Sequence, residues 1–187
     1  MPDAAAGALH PRIDELLEVL DETRASLTMA VAQVPAERRD VRPAPGKWSV
    51  GEILDHVRQV DANFARLFSK RVDEARAAGA PAETDGSSIL SRLDRAMVVD
   101  RSRKVEAPSR IQPREGTLVE DALAALRESR AAVRAALAAA SGLALGSVVH
   151  PHPVFGALDM YQWTLFIAYH EERHAQQIRE IARGGDG

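Results

Sequence analysis

The chain has 187 residues, 45% of them hydrophobic, enough for a single domain with one sizeable buried core over about residues 12–183. With 24 Lys and Arg against 27 Asp and Glu, the net charge of −3 creates no long-range pull toward polyanions, so nucleic acid is not an expected partner. The absence of cysteine excludes disulfides, thiolate ligands and an internal thiol nucleophile, so any metal site must use His, Asp or Glu.

The opening MPDAAAGALHPRIDE has no basic region followed by an apolar stretch, so the expectation is a cytoplasmic protein without a signal peptide. From about Arg12 to Val34, Ile13, Leu16, Leu17, Leu20, Leu27, Val31 and Val34 recur at steps of three and four, which predicts an amphipathic helix. Pro35, Pro43, Pro45 and Gly46 then mark a loop. Ser49 and Glu52 stand at capping-box spacing, with Trp48 and Ile53 at the staple positions, so a second helix begins at Ser49. Its stripe, from Val50 through Ile53, Val57, Val60 and Phe64 to Phe68, carries it to about Ala78. A short helix is predicted within Ser88–Met97, followed by a polar connection over about Asp100–Gly116.

Thr117 and Glu120 have the spacing of another capping box, opening an alanine-rich third helix that runs to about Ala140. The weakly hydrophobic stretch Ala131–Val149 is interrupted by Arg134 and reads as the end of a soluble helix, not a membrane span. Asp159 with Gln162, and Leu158 with Trp163, introduce the last helix, which ends near Arg183. No segment of strand periodicity stands out. The expected fold is all-α, a four-helix bundle with a long connection between helices two and three.

On the last helix, Trp163, Ile167, His170, His174, Gln177 and Ile181 share one face, which places both histidines mid-stripe and facing inward. A His-x-x-x-His pair brings two imidazoles within reach of one ion, but six histidines in 187 residues make that spacing alone a weak signal. His56 lies three residues after Ile53 and four before Val60, on the inward face of the second helix. Taken singly it reads as a hydrogen-bonded core residue. Three inward histidines without an equivalent inward carboxylate for each are costly to bury for packing alone, and one divalent ion satisfies all three.

His170-Glu171-Glu172-Arg173-His174 also spells H-E-x-x-H, the grip of zinc proteases. The metzincin extension needs Gly at 177 and His at 180, where Gln177 and Glu180 stand, so Glu171 is read as a solvated residue or one supporting the ligands. There is no G-x-S-x-G elbow, and Gly46-Lys47-Trp48-Ser49 lacks the frame of a phosphate loop. His150 and His152 fall in the loop HPHPVFG, as exposed imidazoles or at a pocket mouth. Asn63, Trp48, Trp163 and His152 are the candidates to line a half-polar cavity beside the ion.

PGKWSVGEILDHV around His56, HPVFGALDMYQW, and YHEERHAQQI around His170 and His174 resemble the DinB-like superfamily of metal-binding four-helix proteins. The resemblance covers about Arg12 to Ile181 and lies in the branch with metal-dependent hydrolases and bacillithiol- or mycothiol-type thiol transferases. It implies that His56, His170 and His174 coordinate nickel, zinc or a similar ion with open positions for substrate, and that the protein pairs as a homodimer. It further implies transfer of a low-molecular-weight thiol to an electrophilic small molecule, with two alternatives: hydrolysis by metal-activated water, or a non-catalytic binding or stress-response role. Reaction does not follow from fold.

Overall fold

The computed structural model describes residues 8–102 and 106–185. Its helices are α1 (Pro11–Gln33), α2 (Val50–Ala77), α3 (Arg95–Val99), α4 (Val119–Ala139) and α5 (Met160–Ala182). The long helices form a four-helix bundle in which α1 packs chiefly on α5, and α2 on α4. The predicted short helix is realised as a 3-10 turn at Leu90–Arg92 followed by α3, which lies against α5. Among the described residues, no helix is long and apolar enough to cross a membrane.

Two capping boxes form as expected. Ser49 Oγ accepts from Glu52 N while Glu52 reaches back to Ser49 N, and Asp159 and Gln162 do the same for α5. The box expected at Thr117 does not form: α4 is entered through Leu118, and the Thr117 hydroxyl donates to Arg114 O. Asp40 Oδ1 replaces it, accepting from Val119 N at 2.8 Å across the fold.

A small two-stranded sheet, which no strand periodicity announces, joins the bundle. Val149–His152 (β1) and Gly156–Asp159 (β2) pair antiparallel, with Val149 opposite Asp159 and His152 opposite Gly156. Gly156 closes the turn at φ +73°, and His152 Nδ1 accepts from Val154 N and Phe155 N. Pro151 and Pro153 break the alternation that would reveal a strand.

The core has two apolar halves. One gathers Leu16, Leu20, Phe64, Phe68, Val133, Leu137 and Leu165, and the other Leu27, Val31, Ile53, Val57, Leu126, Ala175 and Ile178. Between them, at one level of the bundle, lies a layer of charged and imidazole side chains.

Candidate metal centre

The capping box at Ser49 fixes where α2 begins, so the Ile53–Val57 stripe turns His56 inward two turns into the helix. The same two turns tie down the end of the long connection. Glu52 accepts from Gly116 N at 3.1 Å, Asp55 from Arg114 N at 2.9 Å, and Gln59 donates to Gln112 O at 2.9 Å. These bonds set the Ile111 carbonyl 2.7 Å from His56 Nδ1. A carbonyl only accepts, so His56 carries its proton on Nδ1 and presents the Nε2 lone pair.

On α5, His170 and His174 stand one turn apart. His174 Nδ1 lies 2.8 Å from Gln177 Oε1, which likewise leaves its Nε2 as the free acceptor. The Nε2 atoms converge: His170 Nε2 is 3.3 Å from that of His56 and 3.2 Å from that of His174. Burial holds the pKa values of all three below the ordinary histidine value, and that of His170 is pressed down further by its imidazole neighbours. Burial therefore favours the neutral ring in each at neutral pH. One shared proton can satisfy a single pair, and the buried His170 Nδ1 has no hydrogen-bond partner among the described residues. An inward Nε2 lone pair is thus left over, which a cation at the cluster could satisfy.

A divalent ion fits this arrangement. Metal–imidazole bonds of about 2.0–2.1 Å at angles between 90° and 109° put ligand nitrogens about 2.8–3.4 Å apart, which matches the His56–His170 and His170–His174 separations. The three histidines can hold a metal, and no carboxylate joins them among the described residues.

Inward carboxylates do exist, contrary to the sequence reading, and arginines account for them. Asp55 receives Arg58 Nε at 2.9 Å, and Glu52 receives Arg42. Glu171 is neither solvated nor directed at the histidines: it is fully buried, with Oε1 2.5 Å from Arg24 Nε and Oε2 on Arg130 Nη2. One residue on from His170, it points about 100° away around the helix. Asp61 completes this group, accepting from Arg130 Nε at 3.0 Å and Arg24 Nη2 at 3.2 Å. Burial raises the Glu171 pKa even against the two guanidiniums.

Sequence reasoning missed the Ile111 carbonyl, the partnership of Gln177 and this Arg–carboxylate group. The last had a readable signal: Arg24, Asp61, Arg130 and Glu171 each interrupt a buried apolar stripe, as Arg24 does between Leu20 and Leu27.

Of the candidate lining residues, half-buried Trp48 packs against His56 with ring centroids 5.1 Å apart and the rings tilted by 41°. Trp163 donates from Nε1 to His150 O and packs on His152 at 4.8 Å. His150 and buried His152 lie in β1 rather than in a loop; His152 also meets Phe166, which meets His170. Burial lowers the His152 pKa to about 4. Asn63 accepts from Arg66, and no hydrogen bond links it to the three histidines among the described residues.

The chain is 28% identical over 169 residues to the uncharacterized protein YuaE of Bacillus subtilis (strain 168), covering 88% of this chain and 96% of that one. Among solved structures it is similar to TT2238, a four-helix bundle protein, with a TM-score of 0.58, 21% identity, and coverage of 89% of this chain and 98% of that one. At that identity the likeness concerns the fold. The family model of the DinB superfamily matches residues 19–178, a span that contains all three converging histidines, and the chain belongs to that superfamily.

Proposed function

We propose that the protein is a metal-dependent enzyme that transfers a low-molecular-weight thiol to an electrophilic carbon, with His56, His170 and His174 holding nickel or zinc. The observation that carries this reading is the engagement of Glu171: both its oxygens are bound by Arg24 and Arg130, so the H-E-x-x-H spelling supplies no base at the histidines. A divalent ion in the cluster supplies Lewis acidity and an exchangeable position where a coordinating thiol is deprotonated outright.

The missing base then selects the nucleophile. A thiol starts from a pKa of about 8.5, whereas bulk water starts from about 15.7 and gains from a positioned carboxylate. The chain has no cysteine, so the thiol comes from outside. Its proton leaves to solvent, its sulfur forms the new bond to carbon, and the leaving group departs with its electron pair. Ile111 and Gln177 hold the imidazole tautomers, while Trp48 and Phe166 wall off His56 and His170.

The test uses the cobalt- or nickel-loaded protein. Small thiols such as glutathione are expected to shift its d–d spectrum, and thiol and chlorodinitrobenzene are expected to be consumed together only when metal is bound. His56→Ala, His170→Ala and His174→Ala each reduce bound metal from about one equivalent to a small fraction, while helical content survives on the two apolar halves of the core. A spectrum indifferent to thiols, or ester hydrolysis that needs no thiol, overturns the reading.

A further inference from the structure

Four charged side chains, buried Asp61, Arg130 and Glu171 and half-buried Arg24, form one layer beside the histidines, and each comes from a different long helix: Arg24 from α1, Asp61 from α2, Arg130 from α4 and Glu171 from α5. Each carboxylate belongs to a helix that carries histidines, Asp61 five residues after His56 and Glu171 between His170 and His174. Each arginine belongs to a helix that carries none and bonds both carboxylates. Backbone carbonyls complete the group: Arg24 Nη1 donates to Leu126 O at 3.3 Å and Arg130 Nη1 to Leu20 O at 3.0 Å.

Such a layer costs much of what it gains, because desolvating four charges offsets their attraction, and well-packed apolar side chains often serve stability as well or better. Its distinctive property is directional. Sliding α5 along α2 by one residue moves a carboxylate about 1.5 Å and turns it about 100°, breaking charge-assisted bonds that an apolar contact would forgive.

We propose that Arg24, Asp61, Arg130 and Glu171 are positioning residues whose shared layer sets the rotation and register of α5 against α2, and thereby holds the three histidine nitrogens at ligand spacing. The proposal rests on the metal-binding part of the function reading and not on the thiol chemistry. The geometry explains why both carboxylates sit within five residues of a histidine while neither touches one. It also gives a role to the buried Glu171 of the H-E-x-x-H spelling, which orients the helix that presents His170 and His174.

The experiment compares wild type with Glu171→Gln and with the charge-balanced pair Arg24→Gln with Glu171→Gln, which removes one charge of each sign. Val72→Ala is the control for general loss of stability, because Val72 is buried in the apolar half away from the histidines, about 24 Å along α2 from His56. Cobalt affinity, the cobalt d–d spectrum and the melting temperature are read for each protein. Both layer variants are expected to bind cobalt at least about tenfold more weakly and to shift the d–d bands, while Val72→Ala loses melting temperature with its bands unmoved.

Restoring charge balance should return part of the melting temperature without returning the spectrum, a split that a merely structural role does not produce. Wild-type affinity and bands in both layer variants, or an equal spectral change in Val72→Ala, overturns the proposal. Wild type that binds no cobalt overturns the metal reading itself.

Discussion

Gly51 shows how one missing side chain supports the centre. A Cβ at this position would lie 2.0 Å from Thr117 O and 3.0 Å from both Thr117 C and Val119 N, backbone that cannot step aside. The close approach lets Gly116 reach Glu52 and brings the connection over His56. In an open helix Gly→Ala is worth about 1 kcal/mol in propensity, but overpacking of this severity costs about 1–3 kcal/mol. Gly51→Ala is therefore expected to lower stability by about 2 kcal/mol in urea unfolding and to weaken metal binding as Ile111 is displaced. A variant as stable as wild type, with unchanged affinity, would show that the connection is not held this way.

At the scale of elements, local signals succeeded where both partners lie within a turn of each other and failed where a distant group competed. The boxes at Ser49 and Asp159 close within three residues and form. At Thr117 the local hydroxyl loses to Asp40, whose side chain arrives from 79 residues away, a partner that no window of sequence contains. Asp40→Ala is expected to cost about 1 kcal/mol, as loss of a helix cap does, and Thr117→Ala no more than about 0.5 kcal/mol. Urea midpoints of the two variants decide it, and the reverse ranking would restore the capping box expected at Thr117.

The inward facing of His56, His170 and His174 was legible from helical period, and their convergence followed only from taking the three together, since His56 and His170 are 114 residues apart. The Ile111 carbonyl was not legible, because a connection with no period of its own is placed only by the α2 side chains that bind it. The hairpin stayed hidden because its prolines interrupt the alternation that marks a strand, and because its pairing is completed by His152 accepting from the turn.

Over the whole molecule, the polar layer and the hairpin make the metal-free protein sensitive to acid. The histidine pKa values at positions 56, 170 and 174 are held below the ordinary value by burial, and burial lowers that of His152 to about 4. As pH falls below the unfolded histidine value of about 6.5, the unfolded chain takes up protons that the folded protein refuses, for His152 down to about pH 4. Stability is therefore complete above about pH 6.5 and is lost as pH falls toward 4. Glu171 works in the opposite sense, because its raised pKa favours folding at lower pH, but it is one group against five histidines, since burial also lowers the pKa of His150. The melting temperature of chelator-treated protein is expected to fall by roughly 5 °C or more between pH 7 and pH 5. His152→Asn keeps an oxygen that can accept from the turn amides but does not titrate, so its melting temperature should fall less over the same interval. An identical pH slope in that variant would remove His152 from the account, and a flat profile in wild type would mean that the buried histidines take up protons without cost.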